Sequence, residues 1–494
     1  MQASVEDPVA VTTTAATSSV AHDMYSPINT LFGQVQFNHI YVEGSILLIL
    51  LWILFKKTAS TANSKKTKPP ETVDVDEQIR LWTPQPMIDS YNLDELPMKN
   101  YVVDSKVYDH VTINGQSCIN FATHNYYNFI NDKNIENSVV DAVHKYGIGS
   151  CGPRAFYGTF DIHIELEEKL AQFMGMEEAV IYSYGFSTVT SAIQAYVKSK
   201  DIVYADEEVN FAIQKGLQSS KAEVVYFKHN CPDDLERLIT QHDAVKKRMK
   251  RKSFLIVEGI YMKTGNICKL RELIDIRIKH KIRIFIDESI SFGVLGKNGR
   301  GVTEYFNIPK DEVDLIIGSL ETSLSSVGGF SVGSTFVVEH QRLSGLGYCF
   351  SASLPPLHSV AAIKALEQID KHPELLVKLQ ERSINLHQSI SQSQLIEHFY
   401  LGSDQISPLK HLYLRDNFPS YLEEQNLLKN IVDYCISNGV ALTVAAYLNK
   451  HEYKQPKPSI RLLVSININD ENIESLINVL SQAVILVMKK TTIQ

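Results

Sequence analysis

Apolar and polar positions alternate in blocks along the middle of this chain, and the blocks predict a strand-and-helix order. Short apolar runs of the kind that form buried strands are separated by stretches with helical periodicity, such as residues 165–174. The predicted strands are residues 179–182, 202–204, 254–258, 283–287, 315–320 and 335–338. Alternation of strands with helices predicts an α/β fold, in which helices cover both faces of a mostly parallel sheet.

The pattern changes near Pro355, where a long helical stretch is followed by shorter mixed elements around residues 411–414 and 460–465. We therefore predict a large domain over residues 111–355 and a smaller C-terminal α/β domain over residues 356–494. Residues 58–110 form the predicted linker and N-terminal arm, because this stretch begins polar and contains Pro69 and Pro70.

The most apolar run lies near the N-terminus, within a predicted transmembrane anchor over residues 37–57. The preceding tail, residues 1–36, is rich in Ser, Thr and Ala and lacks periodicity, which indicates disorder. The apolar core is short beside the roughly 20 residues of a full span, so a half-inserted interfacial helix is the alternative. No other run was expected to be apolar enough to cross a membrane.

Charged residues around this run predict its orientation. Acidic residues occur in the tail before it, and lysines follow it at positions Lys56, Lys57, Lys65, Lys66 and Lys68. Positive charge flanks the cytosolic side of membrane spans, so the large C-terminal part is predicted to be cytosolic.

Composition and charge narrow the function classes. The chain has 494 residues, 44% of them hydrophobic, and a formal net charge of −8, with no basic stripe that would indicate nucleic-acid binding. The local basic run at residues 246–252 is interpreted as a solvated helix end or loop rather than a nucleic-acid or lipid patch. Six cysteines without a Cys-x-x-Cys pair or a histidine cluster at zinc spacing predict a reducing compartment and no metal site.

Three segments carry residue types suited to chemistry. Residues 147–159 hold four glycines and an arginine before a helix, which is typical of an anion-binding loop and equally of a plain connection. Asp287 ends a predicted strand, where it could pair with a protonated ring nitrogen or cap a turn. The third, residues 293–301, is also glycine-rich but lacks the Gly-Lys-Ser/Thr ending of a P-loop.

In this order, the segments resemble the α-oxoamine synthase family of pyridoxal-phosphate enzymes, from about Asn120 to the C-terminal end. The runs GIGSCGPRAFYGTFDIHIELE, VIYSYGF, GVLGKNGRGVTE and GYCFSASLPP carry the resemblance. It implies a fold type I pyridoxal-phosphate-transferase large domain, a smaller C-terminal α/β domain and active sites at a dimer interface, each completed by the neighbouring subunit. The N-terminal helix distinguishes this chain from the small soluble bacterial members.

The resemblance also implies that this chain lacks the catalytic machinery of active members. The lysine that binds the cofactor falls on Thr322, whose hydroxyl cannot form an imine. The histidine that stacks on the cofactor ring falls on Asn210, and the histidine of the Asp-x-x-His pair falls on Ile290, so that only Asp287 remains of that pair.

Other positions follow from the same resemblance. The segment that gives a phosphate contact to the adjacent subunit has lost its central hydroxyl at Ala352 and keeps Ser351 and Ser353. The arginine that holds the amino-acid carboxylate falls on Arg461, for which an ordinary surface salt bridge is the alternative. The predicted cofactor remnant is Asp287, Asn210, Thr322, Ser351 and Ser353, with no catalytic residue. The candidates for substrate or interface roles are Cys151, Arg154, Tyr157 and Arg461.

For function, the resemblance implies that the chain is a non-catalytic subunit of a heterodimeric acyltransferase in the endoplasmic reticulum membrane. Its partner, a subunit-2-like chain, would bind pyridoxal 5′-phosphate covalently. The complex would condense L-serine with palmitoyl-CoA to 3-oxosphinganine, CO2 and CoA, the first step of sphingolipid biosynthesis. Two alternatives stay open: a self-sufficient homodimeric synthase, and a membrane scaffold or regulator outside the synthase.

Overall fold

The structure is a computed structural model that describes residues 44–53, 75–87, 101–246, 251–448 and 451–491. The chain divides into two compact units, Met1–Ser90 and Tyr91–Gln494. The first unit contains helices α1 (Gly44–Ile53) and α2 (Val75–Leu81). The apolar side chains of α1, which lies within the predicted anchor, are exposed. The predicted disordered tail and the ends of the predicted anchor lie outside the described residues.

The second unit is built from strands in three sheets and the helices between them. The strands are β1 (His110–Ile113), β2 (Gln116–Asn120), β3 (Glu178–Tyr182), β4 (Ile202–Asp206), β5 (Glu223–Phe227), β6 (Ser253–Glu258), β7 (Arg283–Asp287), β8 (Leu315–Ser319), β9 (Gly329–Gly333), β10 (Phe399–Leu401), β11 (Leu409–Leu414), β12 (Val440–Ala441), β13 (Thr443–Val444) and β14 (Ile460–Leu463).

The helices of this unit lie mainly between the strands of the large sheet and after it. They are α3 (Lys133–Tyr146), α4 (Asp161–Met174), α5 (Gly185–Tyr196), α6 (Phe211–Ser220), α7 (Pro232–Lys246), α8 (Leu270–His280), α9 (Val302–Tyr305), α10 (Thr335–Ser344), α11 (Leu346–Phe350), α12 (Pro356–Lys371), α13 (Pro373–Gln392), α14 (Tyr421–Ser437) and α15 (Asp470–Thr491). Short 3-10 turns occur at Phe129–Asn131, Lys310–Glu312 and Gln394–Glu397.

The large sheet has the strand order β3-β9-β8-β7-β6-β4-β5. The five neighbours from β8 to β5 pair in parallel, whereas β9 pairs antiparallel with both β3 and β8. Strands β4, β7 and β8 are buried along nearly their whole length, which is why each appears in the sequence as a continuous apolar run. The fold is therefore α/β with a mixed sheet rather than the mostly parallel sheet that was predicted. Of its parallel strands, the apolar runs predicted β4, β6, β7 and β8, whereas the predicted run at residues 179–182 is β3, which pairs antiparallel.

Two elements of this sheet differ from the prediction. The strand predicted at residues 335–338 is wrong, because these β-branched and aromatic residues form the first turn of α10. The strand in this region is β9. Because it contains glycines and a serine, it does not appear in the sequence as an apolar run. A side chain at Gly329 would meet Thr188 Oγ1 at 2.3 Å, so close packing against α5 requires glycine there. Strand β5, at the sheet edge and only partly buried, was missed altogether.

The two smaller sheets connect distant parts of the second unit. Strands β10, β11, β14 and β13 form an antiparallel sheet, and β12 pairs in parallel with β2 of the N-terminal hairpin. The predicted domains 111–355 and 356–494 both lie within this unit, and the boundary between them stays a prediction.

Helix α15 corrects one part of the membrane prediction. Within the described residues, the segment Asp470–Met488 of α15 is long and apolar enough to cross a membrane, whereas α1 is shorter, so the expectation that no other run qualifies is wrong. One face of α15 is nevertheless buried in the main core, through Ile473, Leu476, Leu480 and Val484. That face accounts for part of the apolar composition of α15, whereas Ile485 and Leu486 on the same helix are exposed.

Candidate functional site

The carboxyl ends of parallel strands β4, β6 and β7 meet at one edge of the large sheet, where ligands bind in open α/β folds. Each of these strands ends in an acid: Asp206, Glu258 and Asp287. All three carboxyl groups are buried, so each must be satisfied by hydrogen bonds or protonated. This edge is the location that the sequence predicted for Asp287.

Asp287 is fully engaged by its own chain. Its Oδ2 accepts a hydrogen bond from Asn210 Nδ2 at 2.8 Å, and its Oδ1 accepts from the backbone N–H of Ser289 at 2.9 Å and from the Ser289 hydroxyl at 2.5 Å. Burial raises the pKa of Asp287, and the contacts with Ser289 and Asn210 oppose that shift. The structure thus brings Asp287 and Asn210 together, with both carboxylate oxygens already bonded.

Asn210 also caps helix α6 and contacts Glu258. Its side-chain Oδ1 accepts from Ile213 N at 3.1 Å, which caps the helix, and its backbone N–H donates to Glu258 Oε1 at 2.6 Å. Burial, followed by the negative charge of Asp287, raises the pKa of Glu258 to about 8. Sequence reasoning missed Glu258, which completes a network linking the ends of β6 and β7 to the start of α6.

Thr322 lies three residues after β8 and is also buried. Its hydroxyl donates to the carbonyl oxygen of Ser289 at 2.7 Å. Ser289 therefore contacts both Asp287 and Thr322, so the three predicted remnant residues Asp287, Asn210 and Thr322 form one connected group. A hydroxyl bonded to a backbone carbonyl offers neither an amine nor an activated nucleophile.

Glu321 was not identified from the sequence. Its Oε1 accepts a hydrogen bond from the backbone N–H of Gly185 at 3.3 Å, at the first residue of α5. Tyr184, the residue that precedes this helix, provides no side-chain cap. The positive end of a helix favours an anion, and here the chain supplies that anion itself.

Arg461 lies on β14 opposite His411 of β11, and its charge acts on a group of buried rings. Burial, reinforced by the positive charge of Arg461, lowers the pKa of both His124 and His411 to about 3. Among the described residues Arg461 makes no ion pair, and its Nε has no hydrogen-bond partner. The alternative role of an ordinary salt bridge is therefore not found in that part of the chain.

The predicted loop at residues 147–159 has a buried anchor and exposed tips. The Arg154 guanidinium, which is buried, makes two hydrogen bonds to the Glu167 carboxylate, at 2.8 and 2.9 Å, and a third to Thr159 Oγ1 at 3.0 Å. In contrast, Cys151 is exposed and Tyr157 is fully exposed, at 101%. Both tips adopt positive φ angles, 56° and 63°, so the backbone turns sharply at each.

The segment around Ser351 and Ser353 contacts this loop. The Ser353 hydroxyl donates to the Gly158 carbonyl, and the Ser353 N–H donates to Gly152 O at 2.9 Å. Ser150 Oγ completes the contact by donating to Ser353 O at 2.7 Å. Ser351 is exposed. The predicted remnant is thus divided in this chain: Ser353 bonds to the loop, while Asp287, Asn210 and Thr322 bond to one another.

The fold is that of the pyridoxal-phosphate-dependent aminotransferase class, and comparisons with known proteins agree. A family model described as aminotransferase class I and II matches residues 116–480. Serine palmitoyltransferase 1 of Dictyostelium discoideum is 38% identical over 91% of this chain and 95% of its own length. The long chain base biosynthesis protein 1b of Oryza sativa subsp. japonica is 35% identical over 94% and 96%.

A solved structure shows the same fold. A serine palmitoyltransferase variant from S. paucimobilis, with a bound PLP–myriocin aldimine, superposes with a TM-score of 0.69 at 25% identity, over 76% of this chain and 90% of that chain. The chain belongs to the class I and II aminotransferase family and, within it, to the group of serine palmitoyltransferase 1 and long chain base biosynthesis protein 1.

The residues at the edge of the large sheet do not fit pyridoxal phosphate. A covalent site needs a lysine amine, a free carboxylate for the ring nitrogen and an anion site for the phosphate. Here Thr322 provides no amine, both oxygens of Asp287 are bonded to the chain, and the start of α5 is bonded to Glu321. No step of a reaction is therefore assigned to this edge.

Proposed function

We propose that the chain is the non-catalytic subunit of a heterodimeric serine palmitoyltransferase that acts in sphingolipid biosynthesis. The complex condenses L-serine with palmitoyl-CoA and gives 3-oxosphinganine, CO2 and CoA. The observation that carries this proposal is the buried Thr322 hydroxyl, bonded to Ser289 O at the position where active members hold a lysine. The names of the relatives support the substrate class.

The cofactor is proposed to be held by the partner chain. A subunit-2-like chain would provide the lysine amine that binds pyridoxal 5′-phosphate, because the site in this chain lacks one. What this chain contributes is the loop at residues 147–159, whose exposed tips Cys151 and Tyr157 are available to a neighbouring surface. Such groups can position a substrate or exclude water at the partner's site, with Arg154 fixing the loop from behind.

Arg461 is proposed as a second contribution, through binding a carboxylate. Its guanidinium lies beside rings that remain neutral, because the pKa values of His124 and His411 are lowered to about 3. Neutral histidines leave the positive charge of Arg461 uncompensated, which favours an anionic group such as an amino-acid carboxylate.

The chain is proposed to be a single-pass protein of the endoplasmic reticulum membrane, with its C-terminal domains in the cytosol. Support comes from the exposed apolar side chains of α1 and from the lysines that follow it in the sequence. Deletion of residues 1–60 should release the chain, expressed without its partner, during alkaline carbonate extraction. A truncated chain that resists extraction would place the anchor elsewhere, with α15 as the first candidate.

The experiment that tests the function is co-expression with a lysine-bearing subunit-2-like chain, followed by purification through a tag on this chain. We expect the partner to co-purify and 3-oxosphinganine to form from L-serine and palmitoyl-CoA only when both chains are present. Synthesis by this chain alone would favour the self-sufficient homodimer. Failure to co-purify would favour a scaffold or regulator outside the synthase.

A further inference from the structure

The start of α5 bears on whether this chain could bind a phosphorylated cofactor at all. Helix N-termini bind phosphate because their first backbone N–H groups are unpaired and the helix dipole is positive there. Glu321 directly precedes Thr322, the position that lacks the lysine, and its carboxylate accepts the hydrogen bond of Gly185 N. An anion of the chain thus occupies the helix end next to that position.

The hydrogen bonds of Asp287 also oppose cofactor binding. Asp287, the residue suited to a protonated ring nitrogen, accepts hydrogen bonds from Asn210 on one oxygen and from Ser289 on the other. Three donors already bind a carboxylate that can accept about four hydrogen bonds, so Asp287 has at most one acceptor position left, on Oδ2 beside Asn210.

We infer that Glu321 makes this chain exclude pyridoxal phosphate, so that the missing lysine is only one of its barriers to the cofactor. The carboxylate and a phosphate group would compete for the same helix end and would repel each other as like charges. Glu321 is therefore a specificity-determining residue that directs the cofactor to the partner chain. This inference rests on the proposed function only in its assignment of the cofactor to that partner.

Glu321 can be tested without disturbing the core, because its side chain is exposed. Glu321→Gln removes the negative charge and keeps the size and the hydrogen-bonding oxygen. A matched control is Glu381→Gln, another exposed glutamate, which lies on α13. Both variants would be made in the full-length chain, and their melting temperatures would be compared with that of the parent.

Equilibrium dialysis with two probes shows whether Glu321 acts on the phosphate group of the cofactor or on binding of the whole molecule. The probes are pyridoxal phosphate and pyridoxal, which differ by the phosphate group. We expect Glu321→Gln to raise the affinity for pyridoxal phosphate roughly tenfold, with pyridoxal binding and the Glu381→Gln control unchanged. An unchanged affinity for pyridoxal phosphate, or an equal gain for both probes, would overturn the inference.

Restoring the lysine provides an independent readout. Thr322→Lys should be labelled poorly by pyridoxal phosphate and borohydride, whereas the double variant Thr322→Lys/Glu321→Gln should be labelled severalfold more at position 322, as measured by peptide mass spectrometry. Full labelling of Thr322→Lys alone would show that only the lysine was missing. Because these assays use this chain alone, a failed co-purification with the partner would reject the proposed function and leave this inference to its own test.

Discussion

The edge of the large sheet and the loop at residues 147–159 differ in whether their side chains are bonded within the chain or exposed to solvent. At the edge, polar side chains are bonded to one another: Asn210 to Asp287, and Thr322 to Ser289. In the loop, a buried salt bridge holds the backbone while large side chains such as Phe156 and Tyr157 extend into solvent. The sheet edge, where the family resemblance implies a cofactor site, is closed, and the loop is open.

This difference indicates where the structure of the chain still constrains function. A closed hydrogen-bond network stabilises the fold, whereas neighbouring large apolar groups exposed on the surface are typical of interaction sites. This difference supports the proposal that the chain contributes outward, through its loop, to a site completed by another subunit. Five substitutions, one of them combined with a pH series, test this comparison in order of decreasing effect.

The largest effect is expected from Arg154→Met. The change leaves the Glu167 carboxylate buried and without its bidentate partner, so the free energy of unfolding should fall by roughly 3–5 kcal/mol. Denaturant unfolding of the full-length chain measures this. Lys145→Met is the matched control, because its ion pair with Asp161 is exposed to solvent and should contribute much less to stability.

Equal losses for the Arg154 and Lys145 variants would show that the loop has no buried anchor. The loop would then not be held by a buried salt bridge, and its contrast with the closed sheet edge would not hold.

Cys151→Trp and Tyr157→Trp should act on the complex rather than on the stability of the chain. Both side chains are exposed, so the heterodimer should still assemble, while a displaced substrate-positioning group can lower turnover on the order of a hundredfold. Steady-state rates with L-serine and L-alanine measure the effect, including altered amino-acid choice. Val377→Trp, at an exposed apolar position on α13, is the control. Unchanged kinetics in intact mutant complexes would mean that the loop is only structural.

Acid should destabilise the chain through its buried histidines. Desolvation lowers the pKa of His411 to about 3, whereas an unfolded histidine titrates near 6.5, so the unfolded state binds more protons between these values. This contribution to stability is complete above about pH 6.5 and decreases as pH falls toward 3, by at most about 1.4 kcal/mol per pH unit.

His411→Asn isolates this contribution to the pH dependence. The variant is expected to be less stable at pH 7.5, because it loses packing, and to lose less stability than the parent between pH 6.5 and pH 5. Thermal unfolding across this range provides the comparison. The same slope in both proteins would show that His411 takes up protons equally in the folded and the unfolded state.

The smallest effect is expected from Thr322→Val. This substitution keeps the shape of the side chain and leaves Ser289 O without the hydroxyl donor, which costs about 1 kcal/mol of stability. Turnover of the complex should not change, because Thr322 touches no substrate in this account. A large loss of turnover with stability intact would mean that the closed edge takes part in the reaction.

The central strands were predictable because burial on both faces leaves a continuous apolar run, and the prediction at residues 283–287 coincides with β7. Strand β9 was not predictable in this way, since its close contact with α5 selects glycine rather than apolar residues. Local pattern does not reveal such a contact between distant segments.

The site shows the same limit. Asp287 was predicted from the end of its strand, and Asn210 and Thr322 from the family resemblance; in the structure Asn210 bonds to Asp287 directly, and Ser289 links Asp287 to Thr322. Glu321 and Glu258 were missed, because a single glutamate after or within a strand has no signature until the fold brings a backbone N–H to it. Motif order located the residues, and tertiary contacts decided which of them are bonded to one another.

Borohydride reduction of the intact complex tests the central claim most directly. The reduction fixes bound pyridoxal phosphate onto the lysine that holds it, and peptide mass spectrometry then identifies the labelled chain. We predict one pyridoxyl group on the partner chain and none on this chain. A stoichiometric pyridoxyl group on any lysine of this chain would contradict the account.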